Sequence, residues 1–249
     1  MVQQETITVL NTPCILTTEE RLTRDITAVC REKRATTLSV DFTNVHIVAA
    51  RHREADFLEQ TSSVDWFVSD SQILTWAISW LGGKNHRRCY GPAFLDYFIR
   101  HADASLTHYF LGASQDCLEA LLREVKKVRP DLKVVGSRNG YFKDLENEAI
   151  IADINKCEPD VLWVGLGTPK QQAWINDAKG KLNAGAALAV GFAFDVNAGT
   201  KRDAPAWLGK LGLTWAYRLA CEPRRLFKRY FLYNTYFVAH LLHQVSRSR

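Results

Sequence analysis

Short apolar runs alternate along the chain with longer segments of helical periodicity. Runs of roughly four to eight residues, rich in β-branched and aromatic side chains, are typical of buried parallel strands. Such runs occupy residues 37–42, 64–68, 106–111, 132–135, 161–164 and 187–194. Segments with caps and an apolar face predict helices at 18–34, 44–51, 73–81, 92–102, 114–129, 146–157 and 170–179. This alternation predicts an α/β fold, with a Rossmann-like parallel sheet and helices on both faces.

Both ends of the chain depart from this alternation. Residues 5–16 are typical of a short strand pair, with a turn expected at residues 11–13. Near the C-terminus, a basic cluster precedes an aromatic-rich run that polar residues such as Asn234 interrupt. That composition predicts an interfacial helix, with a final helix packed on the sheet or in a dimer interface as the alternative. We therefore divide the chain into an α/β domain, 1–203, and a C-terminal helical appendage, 204–249.

The most informative stretch lies in the second half of the chain. Gly165 and Gly167 end one apolar run, and Thr168-Pro169 then supply an N-cap and a first-turn proline. A strand, a helix and a second strand in this order form a βαβ unit, whose ligands bind where the strands end. The expected binding loops are therefore Gly167–Gln171 and Asp195–Arg202.

The chemistry of these two loops indicates an anion. Glycine lets backbone N–H groups approach a ligand, and a helix N-terminus adds free donors and a positive dipole end. Lys170, Lys201 and Arg202 add positive charge nearby. On the local pattern alone, a tight strand-to-helix turn explains the glycines about as well. The stretch is neither a Walker A motif nor a G-x-G-x-x-G fingerprint, because Pro169 and Lys170 replace further small residues.

The net charge is distributed unevenly. The whole chain carries +5, from 32 Lys/Arg and 27 Asp/Glu. Residues 201–249 hold ten of the basic residues and two acidic ones, so this tail carries +8 and the first 200 residues carry −3. A basic tail predicts a localised anionic partner, such as an anionic membrane surface, and we expect no nucleic-acid partner.

Cysteine usage and hydropathy indicate the compartment. The six cysteines are scattered without a C-x-x-C pair or histidines at ligand spacing, which favours ordinary thiols in a reducing cytoplasm. The N-terminal residues lack a basic region followed by a long apolar core, so we expect no signal peptide. No run of about eighteen apolar residues occurs, so we expect no membrane-spanning segment.

A series of short motifs resembles the WecB/TagA/CpsF glycosyltransferases, also called glycosyltransferase family 26. The run Gly165-Leu166-Gly167-Thr168-Pro169-Lys170-Gln171 is similar to the family's VGLGxPKQE signature. Further matches follow in the family's order at residues 191–195, 198–199, 202, 211–215, 217–219 and 222–225. The resemblance implies a bacterial enzyme that transfers a sugar from a UDP-sugar to a sugar on a polyprenyl diphosphate.

Asp70 is the candidate catalytic base. The predicted strand 64–68 presents it at the ligand-binding edge, where apolar neighbours would raise its pKa. From position alone, a helix N-cap is the better interpretation. The resemblance reverses that order, because Val68-Ser69-Asp70-Ser71 is similar to the family's V-P-D-G motif, whose aspartate is the proposed base. Ser69 and Ser71 depart from that motif.

Two further loops resemble family motifs. Phe42-Thr43-Asn44 is similar to T-x-N, with Phe42 in place of the threonine, so Thr43 would have to supply the hydroxyl. Asn44 matches the motif, and a helix cap is an equally good interpretation of it. Gly140-Tyr141-Phe142 resembles the family's GYF loop, although these aromatic residues are also typical of plain core.

The tail is implied to complete the site. Family tails contribute arginines, which Arg218 and Arg225 match, whereas Lys228 replaces an expected arginine and cannot grip a phosphate with two parallel bonds. The substrate-binding residues that the resemblance implies are Asn44, Thr43, Arg88, Gly167, Thr168, Lys170, Gln171, Asp195, Arg202, Arg218, Arg225 and Lys228.

No Asp-x-Asp pair occurs, although many nucleotide-sugar transferases use one to hold a divalent metal on the diphosphate. We therefore expect no metal and no cofactor, with the leaving diphosphate neutralised by helix N-termini and Lys/Arg. The resemblance implies an inverting, UDP-sugar-dependent hexosyltransferase of cell-surface polysaccharide synthesis. It would be cytoplasmic and peripheral on the inner face of the membrane, with homo-oligomerisation left open. The rival hypotheses are a nucleotide-dependent oxidoreductase and a non-catalytic membrane-docking module.

Overall fold

The computed structural model of the chain describes residues 4–32 and 36–247, apart from the side chain of Arg225. The described residues form eight strands: β1 (Thr6–Val9), β2 (Thr12–Ile15), β3 (Leu38–Thr43), β4 (Trp66–Ser69), β5 (Thr107–Gly112), β6 (Lys133–Arg138), β7 (Val161–Gly165) and β8 (Ala186–Ala189). They make one sheet in the order β1-β2-β4-β3-β8-β7-β5-β6. Only the β1–β2 pair is antiparallel. This sheet confirms the predicted α/β fold.

Helices cover both faces of the sheet. They are α1 (Glu19–Arg31), α2 (Val45–Arg53), α3 (Ala55–Gln60), α4 (Gln72–Gly82), α5 (Gly91–His101), α6 (Gln115–Val128), α7 (Asn147–Cys157), α8 (Lys170–Ala178), α9 (Ala193–Asn197), α10 (Ala206–Lys210), α11 (Thr214–Cys221) and α12 (Pro223–Arg247). Alternate residues of a strand point to opposite faces. Trp163 accordingly belongs to the core under α1, α5 and α6, whereas its neighbours Leu162 and Val164 belong to the core under α7 and α8.

The region after β8 differs from the expected strand. We predicted a strand over 187–194 followed by a polar loop, but β8 ends at Ala189 and Asp195 lies in the short helix α9. Gly191 has a φ of 49°, which turns the chain in the left-handed region that favours glycine. Phe194 then returns to the core, where its ring centroid lies 5.9 Å from that of Phe110. The apolar run 187–194 therefore contains the end of β8, a turn and the start of α9.

The N-terminal turn was also predicted wrongly. Pro13 lies within β2 opposite Thr8, and the turn is made by Leu10 and Asn11. Its geometry is fixed from far along the chain, because the Leu10 N–H donates to Oε1 of Gln244 at 2.8 Å and Nε2 of Gln244 donates to the carbonyl of Thr8 at 2.9 Å. A contact over such a sequence separation leaves no local signal. The predicted end of the first helix, at residue 34, lies outside the described residues.

The last helix, α12, packs on the domain. Phe237 is fully buried, and Leu241 and Val245 join it in a core with residues of α2, α4 and β4. The Tyr233 hydroxyl also donates to the carboxylate of Glu54. The face of α12 that carries Phe237, Leu241 and Val245 therefore packs against the domain, as in the alternative interpretation of the tail. The opposite side exposes apolar side chains such as Phe231. No helix in the described ranges is both long and apolar enough to cross a bilayer.

Candidate active site

The loops at the carboxyl ends of the parallel strands open into one cavity of about 920 Å³. Helices α11 and α12 close its other side through Trp215, Arg218 and Tyr230. The predicted site residues that line it are Asn44, Asp70, Arg88, Gly167, Thr168, Lys170, Gln171, Asp195 and Arg218. This edge of a parallel sheet is where α/β folds bind ligands. The tail thus forms a wall of the same cavity as the sheet.

Other predicted residues lie elsewhere. Arg202 and Lys228 are exposed and do not line the cavity. Thr43 is fully buried, and its hydroxyl donates to the carboxylate of Asp41. The side chain of Arg225 lies outside the described residues. The structure therefore brings Arg88 and Arg218 together with the loops, but not Arg202 or Lys228.

Asp70 follows the last residue of β4 and faces the cavity. Its N–H donates to the Thr43 carbonyl at 2.8 Å, and its Oδ1 accepts from the Gly91 N–H at 2.7 Å. Within the described residues only Oδ1 accepts a hydrogen bond, which leaves Oδ2 for a ligand. The N-cap interpretation of Asp70 was wrong, because Ser71 caps α4 by accepting from the Leu74 N–H.

The surroundings of Asp70 change its acidity. Burial raises its pKa to about 6, against the lowering effects of the Gly91 hydrogen bond and of the positive charges of Arg88 and Arg218. Desolvation disfavours the charged carboxylate, while nearby cations favour it. A carboxyl group with a pKa near 6 can accept a proton near neutral pH, as a general base must.

Residues 42–44, which resemble the T-x-N motif, have different contacts at the end of β3. Oδ1 of Asn44 accepts from the N–H groups of His46 and Ile47 at 3.0 and 3.3 Å, so this residue caps α2 while lining the cavity. Phe42 lines the cavity with a ring that lies 4.9 Å from that of Phe94. Since the Thr43 hydroxyl bonds to Asp41, it does not replace the hydroxyl that Phe42 removes.

The loop Gly167–Gln171, here called the glycine loop, leaves space for a ligand as predicted, but the N-cap of α8 differs from the predicted one. Gly167 has a φ of 77°, and a Cβ placed there would meet nothing within 4 Å. Its N–H donates to Oε1 of Gln171 at 3.1 Å. The Thr168–Pro169 peptide is cis, and Pro169 occupies the N-cap of α8 without a side-chain bond, so the predicted capping role of Thr168 was wrong. The Thr168 hydroxyl instead accepts from Nε2 of Gln172 at 3.3 Å.

Lys170 points along the cavity wall. Its Nζ donates to the carbonyls of Gly140 and Phe142 at 3.0 and 3.3 Å and lies 3.9 Å from the centroid of the Phe142 ring. Tyr141, between these two residues, is 82% exposed beside the cavity. Through these two hydrogen bonds and the cation–π contact, Lys170 holds the loop of residues 140–142.

Aromatic rings and carboxylates orient the remaining cations. The guanidinium of Arg88 lies 4.3 Å from the centroid of the Tyr90 ring, and that of Arg218 lies 4.1 Å from that of Phe192. Asp195 pairs with Lys201 at 3.4 Å. Cation–π contacts hold a guanidinium in place and leave its N–H donors available. Arg88 and Arg218 are thus placed to bind an anion beside Asp70.

Sequence reasoning missed several cavity residues, among them His46, Trp215, Arg229 and Tyr230. A signal for two of them exists in the helical periodicity of the tail. Leu226 and Phe237 are buried, and residues three or four positions after Leu226 share its face of α12. That spacing selects Arg229 and Tyr230, and it directs Lys228 outward.

In residues 4–32 and 36–247, no three His, Cys, Asp or Glu side chains cluster closely enough to hold a metal ion. The six cysteines are free thiols.

Comparison with known proteins identifies the family. The sequence profile described as "Glycosyl transferase WecG/TagA/CpsF family" matches residues 7–249. An N-acetylglucosaminyldiphosphoundecaprenol N-acetyl-beta-D-mannosaminyltransferase of Bacillus subtilis (strain 168) is 25% identical over 183 residues, 73% of this chain and 71% of the relative. The enzyme of the same name from Staphylococcus aureus (strain NCTC 8325 / PS 47) is 26% identical over 211 residues, 84% of this chain and 82% of the relative. The chain belongs to the WecG/TagA/CpsF family of glycosyltransferases.

Proposed function

We propose that this chain transfers a hexose-type sugar from a UDP-sugar to a sugar carried on a polyprenyl diphosphate. The observation that carries the proposal is Asp70, a carboxyl with a pKa of about 6 that faces a cavity also lined by Arg88 and Arg218. The relatives named above act on an N-acetylglucosaminyl diphosphate of a polyprenol and transfer N-acetylmannosamine. A role in bacterial cell-surface polysaccharide synthesis follows from that acceptor.

The proposed reaction is a single displacement with inversion. Oδ2 of Asp70 takes the proton of the acceptor hydroxyl while that oxygen attacks the anomeric carbon of the donor. The bond from that carbon to the diphosphate oxygen breaks, and its electron pair leaves with UDP. Arg88 and Arg218 stabilise the charge that develops on the leaving diphosphate, which is the role a metal ion has in other transferases. The proposal therefore requires no metal.

The donor is proposed to lie along the β5–β7 side of the cavity. Gly167 leaves open space for a phosphate, and the exposed ring of Tyr141 offers a face on which a base can stack. Because Lys170 holds the loop of Tyr141, we assign it the positioning of this loop and not the neutralisation of phosphate.

Lys170→Met should therefore weaken uridine and UDP by the same factor, about tenfold. The loop that meets the base is loosened in this variant, whereas the phosphate contacts remain. Isothermal titration of the two ligands measures this ratio. A selective loss of UDP affinity, with uridine unchanged, would show that Lys170 binds the diphosphate instead.

The pH dependence of kcat/KM should report the ionisation of Asp70. Because the base must be deprotonated, we expect a plateau near neutral pH and a fall of about tenfold per pH unit below an apparent pKa of about 6. Initial rates over this range, at constant ionic strength, measure the profile. A rate that is flat across this range would remove Asp70 from the role of base.

Ligand-induced thermal stabilisation tests the donor class. We expect UDP and UDP-hexoses to raise the melting temperature, and EDTA to leave that rise unchanged. Stabilisation by NAD without any effect of UDP would favour the oxidoreductase hypothesis. Loss of the UDP effect on adding EDTA would contradict metal independence.

We also propose that the chain attaches peripherally to the cytoplasmic face of the membrane that carries its acceptor. A surface formed by Trp76, Trp80, Trp207 and Leu211, here called the tryptophan surface, supports this proposal, because each of these side chains is about half exposed. Gly212 connects its parts, since a Cβ there would lie 2.9 Å from the Trp76 ring. Tryptophan is enriched at membrane interfaces, and the exposed lysines 84 and 210 suit anionic lipid.

Sedimentation with phosphatidylglycerol vesicles tests this attachment. We expect Trp76→Ser/Trp207→Ser to reduce the bound fraction by about tenfold, because two interfacial anchors are lost. Leu145→Ser removes an even more exposed apolar side chain outside the tryptophan surface and should bind like the wild type. Equal binding of both variants would place the membrane contact elsewhere.

A further inference from the structure

The proposed reaction brings two diphosphates into one cavity, because the donor and the acceptor each carry one. Three arginines of the described residues line this cavity: Arg88, Arg218 and Arg229. We propose that the lobe between α2, α11 and α12, here called the α12 lobe, binds the sugar diphosphate of the acceptor through Arg229. This inference rests on the proposed function and assigns a second substrate to a part of the cavity that lies away from the glycine loop.

The three arginines affect different titratable groups of the cavity. Arg88 and Arg218 are near enough to Asp70 to lower its pKa. The charge of Arg229 instead adds to the effect of burial on His46, whose pKa is lowered to about 3. The ring centroid of His46 lies 4.5 Å from that of Tyr233, which follows Arg229 by one turn of α12, so Arg229 lies on the α2 side of the cavity. A diphosphate bound near Arg88 and Arg218 and another bound near Arg229 would have the reacting sugars between them.

The α12 lobe has the composition of a sugar-binding site. Trp215 and Tyr230 line it with their ring centroids 6.1 Å apart and their planes almost perpendicular, at 84°. Asn234 adds an amide donor and acceptor, and His46 stays neutral over the physiological pH range. Aromatic faces cover the apolar side of a sugar ring, while amide and hydroxyl groups bond to its edge. Arg229 is half-buried, and its guanidinium lies 5.6 Å from the centroid of the Tyr230 ring. It is the cation among these groups that is suited to a phosphate.

The lobe also has a route for the lipid. Ile73 and Gly212 line the cavity, and Gly212 lies between it and the tryptophan surface, because a Cβ on Gly212 would lie 2.9 Å from Trp76 and 3.5 Å from Ile73. A polyprenyl chain attached to a diphosphate at Arg229 can therefore leave the cavity toward the side where we place the membrane. On the glycine-loop side, Lys170 and the loop of residues 140–142 close the wall instead.

The test compares two soluble acceptors in steady-state assays with a UDP-sugar. One is N-acetylglucosamine on a short-chain prenyl diphosphate, and the other is an alkyl glycoside of N-acetylglucosamine without phosphate. For Arg229→Met we expect the KM of the diphosphate acceptor to rise by about tenfold or more, because a charge-assisted contact is lost. The KM values of the UDP-sugar and of the alkyl glycoside should stay within about twofold of wild type.

Matched variants keep the result interpretable. Arg247→Met makes the same change at an exposed position of α12 far from the cavity and should leave every KM unchanged. Arg229→Lys keeps the charge without the planar fork, so an intermediate rise is expected. Equal increases in the donor and acceptor KM of Arg229→Met, or the same increase in Arg247→Met, would overturn the assignment. A wild-type chain that releases no UDP with either acceptor would instead refute the proposed function itself.

Discussion

Replacing Asp70 with asparagine should lower kcat by about a hundredfold to ten-thousandfold, while UDP affinity stays within about twofold of wild type. An amide has the shape of the carboxyl, and its oxygen can still accept from the Gly91 N–H, as Oδ1 does now at 2.7 Å. It cannot take a proton from the acceptor. Steady-state turnover and titration with UDP separate the chemical effect from the binding effect.

The stability of the same variant provides an independent control. The folded-state pKa of Asp70, about 6, is raised from the ordinary value of 3.8, so its ionisation opposes folding. That cost is complete above about pH 6 and disappears as the pH falls below the ordinary pKa. Asp70→Asn should therefore melt at a higher temperature than wild type at pH 8, and this advantage should disappear at low pH. Near wild-type turnover in a folded variant would remove Asp70 from the mechanism.

Phe237→Ala should destabilise the chain by about 3–5 kcal/mol. Phe237 is fully buried in the core that α12 shares with α2 and α4, so its truncation leaves a cavity in the domain itself. The adjacent residue offers a matched control, because Val238 is 51% exposed and Val238→Ala should change the free energy of unfolding by less than about 0.5 kcal/mol. Urea unfolding of both variants measures the difference.

The outcome also tests how the tail relates to the rest of the chain. If α12 were an appendage that docks only on membranes, Phe237→Ala and Val238→Ala would be equally mild in solution. A single cooperative transition that shifts strongly in Phe237→Ala would show that α12 folds with the sheet. We expect the second result, since side chains of α12 bond to the turn after β1 and to Glu54 at the end of α2.

The sequence predicted the parts of this structure that depend on local patterns. The strands that carry the site were found because buried parallel strands are apolar runs of typical length. The position of Asp70 followed, since a residue after such a run must lie at the carboxyl edge of the sheet. That Asp70 does not cap a helix could not be predicted, because the cap of α4 depends on a hydrogen bond from the Leu74 N–H to the Ser71 hydroxyl oxygen.

Other features depend on contacts between distant residues and left no local signal. The N-terminal turn is held by Gln244. The direction of the Lys170 side chain is set by the carbonyls of Gly140 and Phe142, which lie 30 and 28 positions earlier in the chain. In the tail, a basic composition predicted an anionic partner but not which cations face the cavity. Periodicity from Leu226 selects Arg229 over Lys228, once the buried face of α12 is known.

The most direct test of the account is UDP release by the purified chain in the presence of both substrates and EDTA. UDP-N-acetylmannosamine, its uronic acid and UDP-glucose are the donors, and N-acetylglucosamine on a short-chain prenyl diphosphate is the acceptor. We expect that at least one donor releases UDP at a rate that requires the acceptor, survives EDTA and disappears in Asp70→Asn. Release that requires a divalent metal would contradict the proposed chemistry, and no acceptor-dependent release from any donor would contradict the proposed function.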